Sequence, residues 1–245
     1  MSHPAQRDFV KLVSAEMNQY FTNSKVLEIG SLDINGSVKD YFSNCDYTGL
    51  DISEGKNVDI VCQGQDYDGP DNYFDQVISC EAMEHNPHWV ETFQNMLRVC
   101  KPGGLVLMTC ATHGRKEHGT ARTDPQASPL TVEMGWNYYH NLLPSDFKKK
   151  LDLEMGFSNH QFWVNWRSFD VYFCGVKKNT DATASVLGWD SMEKSVDAYI
   201  SQVNKRPVCK YRAFLARLFG DKGFEIIRGF SGKLNLKIIH YIHGG

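Results

Sequence analysis

The sequence predicts an α/β domain with a doubly wound, mostly parallel sheet, followed by a helical C-terminal extension. An apolar run, Val26–Ile29, stops at Gly30 and leads through a polar loop to Gly36, which is typical of a buried strand followed by a turn. Asp51 ends a second strand-like run 21 residues after Gly30, the spacing at which such folds hold ribose hydroxyls. Further strand-like runs alternate with helical segments up to about residue 177.

The first half of the chain predicts five strands. An amphipathic helix over 8–21 comes first, because its apolar residues recur at helical spacing. The strands follow at 25–30, 46–51, 57–61, 74–80 and 105–110. A short helix at 37–42 separates the first two strands, and a longer one runs from Pro87 to about Val99. The run Lys101-Pro102-Gly103-Gly104 is expected to end that longer helix.

The second half predicts a final antiparallel hairpin. A helix begins at Ser145, and strand-like runs cover 160–166 and 170–176. Their link, 167–169, is too short for a helical crossover, so the two strands should pair antiparallel. Residues 111–142 show no clear periodicity, and loops of this length in a compact domain are usually functional. We therefore expect one domain over 1–178 with a lid at 111–142, then a linker and a basic helical extension over 179–245.

Composition indicates a globular chain. Its residues are 42% hydrophobic, but no apolar run approaches the roughly 18 residues of a membrane span, and residues 1–7 lack a signal-peptide pattern. The seven cysteines are odd in number, include no CxxC pair, and several lie in apolar runs. This pattern favours buried thiols in a reducing, cytoplasmic setting and disfavours structural zinc.

Charge is distributed unevenly along the chain. The net charge is −3, but residues 205–245 hold nine Lys and Arg against two acidic residues (+7), which leaves −10 on the rest. Helices are predicted at 190–203 and 211–219. The basic extension has two interpretations. It packs on the domain or on a second copy in a homodimer, which we prefer, or it lies on an anionic membrane surface.

Four segments resemble the class I S-adenosylmethionine-dependent methyltransferases. They are Glu28-Ile29-Gly30, Asp51, the run FDQVISCEAMEH from Phe74 to His85, and LRVCKPGG from Leu97 to Gly104. The last two are similar to the group that includes ubiquinone-pathway and other small-molecule O-methyltransferases. The resemblance covers about 25–177. It implies a seven-stranded Rossmann-like sheet, S-adenosylmethionine as the cofactor and S-adenosylhomocysteine as the product.

The resemblance also implies a cofactor site. Glu28 would orient the methionine end through the loop, Asp51 would accept from the ribose hydroxyls, and Ile52 would cover one adenine face. The complete expected set is Glu28, Gly30, Ser31, Gly36, Asp51, Ile52, Gln63, Gly64, Cys80 and Glu81. Two features depart from the family pattern. Leu32 and Ile34 stand where the turn after Gly30 usually has glycines, so that loop is expected to be longer. Gln63 stands where the family has an acidic residue in the adenine loop.

Methyl transfer to a hydroxyl requires that the hydroxyl lose its proton. Histidine suits this role because its pKa lies near neutrality. We expect His113 or His118, in the lid, to act as the general base, with His85 assisting or only shaping the pocket. The alternative is a lid without a proton-transfer role.

The expected acceptor is a hydroxyl on a small molecule or saccharide, with an amine as the second choice. The chain lacks the Asn/Asp-Pro-Pro-Tyr/Phe signature of base-amino methyltransferases, and its acidic body disfavours a nucleic-acid groove. No metal is expected. Two alternatives stay open: a metal-assisted RNA 2′-O-methyltransferase, whose ligands would include Glu81, Glu84 and His85, and a non-catalytic methyltransferase-like scaffold.

Overall fold

The computed structural model describes residues 2–34, 36–179 and 186–243. Seven strands and seven α-helices make up this part of the chain. In chain order they are α1 (Pro4–Glu16), β1 (Lys25–Ile29), β2 (Asp46–Asp51), β3 (Ile60–Val61), β4 (Phe74–Cys80), α2 (Trp89–Val99), β5 (Cys100–Ala111), α3 (Pro129–Glu133), α4 (Pro144–Lys150), α5 (Leu153–Gly156), β6 (Phe157–Asn165), β7 (Asp170–Lys177), α6 (Trp189–Asn204) and α7 (Pro207–His243).

The strands form a single sheet in the order β3-β2-β1-β4-β5-β7-β6. The strands β1 to β5 are parallel, and β7 runs antiparallel to both of its neighbours. The predicted fold class is therefore confirmed, including the final hairpin. The strand order reverses at β1, which lies between β2 and β4. Open α/β sheets bind ligands at the carboxyl ends of their strands at such a point.

Several boundaries differ from the prediction. The segment expected as a short helix at 37–42 is a 3₁₀ turn at Val38–Tyr41, and β3 is reduced to two residues. The Lys101–Gly104 run lies within β5. The first residue of β5, Cys100, pairs with Phe74, and the register then shifts so that Leu105 pairs with Gln76. Of the predicted linker at 179–185, Asn179 belongs to the described part of the chain, and 180–185 lie outside it.

The helix predicted at 211–219 begins earlier, at Pro207, and is followed beyond Gly220 by a second helical segment. Together they form α7 (Pro207–His243), which departs from helical geometry at Gly220, whose φ is 54° and ψ −147°. Among the described helices, none has both the length and the apolar character needed to cross a bilayer.

Apolar side chains cover both faces of the sheet. On one face, α1 and α6 pack through residues such as Phe9 and Met192, and the Phe9 ring stacks on Tyr172 with centroids 4.6 Å apart. On the other face, α2 and α4 contribute Phe93 and Phe147. The burial of α1 places its N-terminal turn next to the start of β7, close to the site described below.

Truncating Phe93 tests this second layer. Phe93 is 1% exposed and contacts the rings of Phe147, Phe157 and Phe173. We expect Phe93→Ala to lower the free energy of unfolding by about 3–5 kcal/mol, because it removes buried area and leaves a cavity. Urea titration measures this change. Met155→Ala, at a residue that is 71% exposed, should stay within about 0.5 kcal/mol; equal losses for both variants would contradict the packing.

Candidate functional site

A cavity lies at the carboxyl ends of β1, β2 and β4, where the sheet order reverses. Its empty volume, which includes space open to solvent, is about 680 Å³. One wall comes from the strand ends and the loops that follow them, and the other from α3 and its flanks. The residues that line it are Ile29, Gly30, Leu32, Ile34, Leu50, Asp51, Ile52, Cys62, Gly64, Glu81, Ala82, His85, Asn86, Ser128, Leu130, Thr131 and Trp136.

The floor of the cavity is formed by a close approach between the ends of β1 and β4. Gly30 has a φ of +82°, and a Cβ atom there would lie 2.8 Å from the Cβ of Ala82. Both the backbone conformation and the contact require glycine. The Gly30 N–H donates to the Leu50 carbonyl at 2.8 Å, which ties the turn after β1 to β2.

Asp51 forms the polar part of one end. Its Oδ2 accepts from the Leu32 N–H at 2.9 Å, and its Oδ1 accepts from the Ile52 N–H at 2.8 Å. These bonds fix the carboxylate, and each oxygen retains a lone pair for a further donor. Ile52 and Leu50 add apolar surface beside it. This end can therefore bind a ligand with paired hydroxyls next to a flat apolar ring.

A second tight glycine lies beyond Asp51. A Cβ atom at Gly64 would lie 2.7 Å from Thr92 Cγ2 and 2.8 Å from Ile29 Cγ2, so only backbone fits there. The Gly64 carbonyl accepts from Asn95 Nδ2 at 2.7 Å. The loop after β3 is thus held against α2, and its backbone faces the cavity.

The structure brings half of the expected cofactor residues into the cavity wall. Those in the wall are Gly30, Asp51, Ile52, Gly64 and Glu81, and those outside it are Glu28, Ser31, Gly36, Gln63 and Cys80. Glu28 lies outside the wall because successive side chains of a strand point to opposite faces of the sheet. Its side chain is buried and accepts a hydrogen bond from the Tyr47 hydroxyl at 2.7 Å. Burial raises the pKa of Glu28 to about 7.

The other four lie outside for local reasons. Cys80 is buried in β4 and Ser31 in the turn after β1, and burial raises the pKa of the Cys80 thiol to about 12. The Gln63 amide oxygen accepts from the Gln65 side chain at 2.6 Å. Gly36 lies against the N-terminal segment, where its carbonyl accepts from the Ser2 N–H at 3.3 Å.

Opposite the Asp51 end, Glu81 anchors a network of buried charges. Glu81 follows β4 with a φ of +52°, and its carboxylate lies 3.1 Å from the Arg115 guanidinium and accepts from Gln6. Arg115 also contacts Asp170 at 3.1 Å, and His3 contacts Asp170 at 3.0 Å. Burial opposes the ionisation of Glu81, but the neighbouring Arg115 and histidines hold its pKa below the usual value.

Sequence reasoning missed most of this network. His3 and Gln6 come from α1 and the residues before it, and Asp170 comes from the start of β7. No local motif marks these residues, because only the folded topology brings them to the end of β4. Arg115 lay in the predicted lid segment but was assigned no partner.

The three predicted catalytic histidines separate in the structure. His85 lines the cavity, and its ring lies edge-on to those of His118, 4.9 Å away, and Tyr139, 5.3 Å away. His113 lies outside the cavity, with its Nε2 3.9 Å from Asp221 and its ring against Gly220. The structure therefore joins His85 with His118 and separates both from His113.

Hydrogen bonding defines what these two rings can do. His118 Nδ1 lies 3.0 Å from the Lys116 carbonyl, which only accepts, so Nδ1 carries the hydrogen. The other ring nitrogen, Nε2, lies 3.9 Å from a carboxylate oxygen of Glu81. Burial lowers the pKa of His85 to about 4, and His118 adds to this effect. His85 is therefore a neutral hydrogen-bond acceptor at pH 7.

The Glu81, Glu84 and His85 ligand set is not assembled around a common point. Glu84 is fully buried, its Oε1 accepts from the Ala111 N–H at 2.9 Å, and burial raises its pKa well above the usual value. Within the described residues, the group close enough to share an ion is His3, Glu81 and Asp170. The Arg115 guanidinium already lies 3.1 Å from both carboxylates, so it supplies the positive charge there.

Comparison with known proteins agrees with this geometry. Residues 27–108 match a family model described as a methyltransferase domain. Over this third of the chain the sequence is similar to the class I S-adenosylmethionine-dependent methyltransferases. The ubiquinone-pathway subgroup stays a prediction. A search of curated proteins found no match.

Solved methyltransferases share the fold at low sequence identity. Phosphoethanolamine N-methyltransferase 2 of Haemonchus contortus, in complex with phosphomonomethylethanolamine and S-adenosylhomocysteine, is 14% identical over 70% of this chain with a TM-score of 0.51. This chain spans about half (52%) of that protein's length. The 1,6-didemethyltoxoflavin N1-methyltransferase of Burkholderia thailandensis is 13% identical over 71% of this chain and 79% of its own, with a TM-score of 0.49.

The buried Glu28 predicts a pH dependence of stability. Its folded pKa of about 7 lies above the ordinary 4.5, so below pH 4.5 both states are protonated. Between pH 4.5 and 7 the unfolded state ionises first, and stability falls as pH rises. Glu28→Gln cannot ionise, so its stability relative to wild type should increase by about 3 kcal/mol from pH 4.5 to pH 8.

Urea titrations of both proteins at these two pH values measure the difference. Glu54→Gln, at an exposed glutamate, is the control and should show no change. A stability difference between Glu28→Gln and wild type that is constant with pH would show that folding does not raise the pKa of Glu28.

Proposed function

We propose that the protein transfers a methyl group from S-adenosylmethionine to a hydroxyl of a small molecule or saccharide. One observation carries the proposal: a single cavity has a fixed carboxylate, Asp51, at one end and a neutral histidine, His85, at the other. The first suits the ribose of the cofactor, and the second suits an acceptor hydroxyl. An amine acceptor is the second choice.

The residues at the Asp51 end fit the cofactor. Asp51 would accept from the ribose hydroxyls, Ile52 would pack on the adenine, and the Gly64 backbone would border the ring. Glu81, whose carboxylate is ionised, would face the charged methionine end. Gly30 and Gly64 support this assignment, because a side chain at either would clash with the walls. When bound, S-adenosylmethionine supplies an electrophilic methyl group.

His85 would receive the hydrogen bond of the acceptor hydroxyl. It is the histidine that lines the cavity among the described residues, and its pKa keeps it neutral at physiological pH. A proton passed to His85 would be stabilised by the Glu81 carboxylate, which opposes the effect of burial on the His85 pKa. His118 would hold the orientation of this ring through their edge-on contact. His113, outside the cavity, has no part in this proposal.

The remaining wall favours a polar, ring-shaped acceptor. Trp136 offers an aromatic face, and Asn86, Ser128 and Thr131 offer hydroxyl and amide groups. Sugars combine apolar ring faces with hydroxyls, so this mixture suits a saccharide or a hydroxylated ring. The names of the similar nematode and bacterial proteins refer to N-methylation, so the fold leaves the acceptor atom open.

Removing the Asp51 carboxylate tests the cofactor assignment. At about 100 times the dissociation constant, S-adenosylhomocysteine should add roughly 2.7 kcal/mol to the stability of the wild-type protein. We expect a thermal shift with wild type and none with Asp51→Ala. Asp46→Ala is the matched control, because Asp46 is exposed at the opposite end of β2. The same shift in Asp51→Ala and wild type would contradict the assignment, and no shift in cofactor-free wild type would favour the scaffold alternative.

Replacing His85 tests the proton acceptor. We expect His85→Gln to lower kcat by about 10²–10⁴-fold while S-adenosylhomocysteine binding stays within a few-fold of wild type. The assay measures release of S-adenosylhomocysteine with methyl glycosides and with the matching amino sugars. His113→Gln, outside the cavity, should keep near-normal turnover. Unchanged kcat in His85→Gln, or a preference for the amino sugars, would overturn the corresponding part of the proposal.

A further inference from the structure

The first part of α7 exposes an apolar stripe. Val208, Tyr211, Phe214 and Leu218 recur at intervals of three and four residues and so share one face of the helix. Each exposes between 49% and 57% of its surface. Of the twelve exposed large hydrophobic residues in the described part of the chain, six lie within 208–226. Such a concentration of apolar surface marks an interaction site.

The side of α7 that borders this stripe is fixed to the domain. Leu215 and Phe224 are buried and pack against Trp166 and Phe169, which flank the turn between β6 and β7. Arg212 lies 4.4 Å from the centre of the Phe169 ring and donates to the Trp166 carbonyl at 3.1 Å. These contacts hold one side of α7 on the domain and leave Tyr211, Phe214 and Leu218 exposed.

Positive charges flank the stripe. Lys205, Arg206, Lys210 and Arg217 are exposed, and within the described residues none of them forms an ion pair. Lys210 precedes Phe214 by four residues and Arg217 follows it by three, so both lie directly beside the stripe. Unpaired cations around an apolar stripe are typical of a helix that lies in a membrane interface.

We propose that α7 docks on an anionic membrane surface. Its apolar stripe would enter the boundary between headgroups and acyl chains, and its cations would contact anionic headgroups. The charge distribution favours this partner, because residues 205–245 carry +7 and the rest of the chain −10. An anionic surface attracts the extension and repels the body, which sets a single orientation. A two-fold contact between α7 helices would instead bring the same cations together.

The docked face lies at the edge of the sheet that carries the cavity. Ala111, the last residue of β5, pairs with Asp170, the first of β7, so the β6–β7 turn lies at the carboxyl ends of the parallel strands. Asp221 in α7 also accepts from the Gly114 N–H at 2.8 Å, in the loop after β5. Membrane docking through α7 would therefore bring this edge of the domain close to the bilayer.

Vesicle flotation with the full chain tests the proposal. We expect the protein to float at low salt with vesicles of phosphatidylglycerol and phosphatidylcholine in equal parts, and not with phosphatidylcholine alone. Each Lys or Arg near such a surface contributes about a factor of five in partitioning. Lys210→Gln/Arg217→Gln should therefore bind roughly 25-fold more weakly, and Phe214→Ser/Leu218→Ser should also lose binding.

Matched controls keep the outcomes separate. Lys148→Gln/Lys149→Gln removes two exposed cations from α4, and Met155→Ser removes an exposed apolar side chain; both should float like wild type. No flotation of wild type with anionic vesicles at low salt would overturn the proposal, as would equal binding by all variants. Sedimentation equilibrium provides a further check. A wild-type dimer that becomes a monomer in Phe214→Ser/Leu218→Ser, without vesicle binding, would identify the stripe as a contact between copies.

Discussion

The site depends on the contact between Gly30 and Ala82, where the ends of β1 and β4 come together. The strand order reverses at β1, so the two chain segments leave the sheet towards opposite faces and open a crevice. Gly30 closes the bottom of that crevice because a Cβ atom in its place would lie only 2.8 Å from Ala82. The same turn hydrogen-bonds to β2 and positions Leu32, whose N–H orients Asp51. A small change at Gly30 would therefore disturb both walls.

Around this floor, one guanidinium joins three distant parts of the chain. Arg115 follows β5 and contacts Glu81 after β4 and Asp170 at the start of β7, while His3, before α1, contacts Asp170. Since all of these groups are largely buried, each charge relies on its neighbours for solvation. The network holds Glu81 as an ionised carboxylate at the end of the cavity where a sulfonium would lie. It also explains why α1 is packed against the catalytic edge.

The sequence predicted the sheet well because its signals are local. Apolar runs such as Val26–Ile29 and Phe74–Cys80 appear as strands within one residue, and the three-residue link at 167–169 dictated the antiparallel hairpin. Boundaries that depend on pairing were less predictable. The Lys101–Gly104 run has the composition of a turn, and it forms an irregularity within β5: Cys100 pairs with Phe74, and pairing with β4 resumes at Leu105. The predicted end of a helix at 219 agrees with the break at Gly220, but the helical segment that follows it was not predicted.

Individual site residues were harder to predict. Asp51 ends β2 and Gly64 lies three residues after β3, so their place at the carboxyl edge of the sheet could be inferred from position alone. Glu28 was assigned by resemblance, but its side chain points to the other face of β1 and meets Tyr47. The choice between His113 and His118 depended on the path of a loop without periodicity. Only tertiary contacts, with Asp221 for one ring and with His85 for the other, distinguish them.

Hydrogen–deuterium exchange with S-adenosylhomocysteine tests the central claim most directly, namely that the cavity at the reversal point holds the cofactor. If it does, saturating ligand should slow exchange in peptides covering 29–34, 50–53 and 62–65, which supply its walls at the Asp51 end. Peptides covering 148–160, away from the cavity, should exchange as in the free protein. Protection confined to 148–160, or protection absent from 29–34 and 50–53 at saturating ligand, would contradict the account.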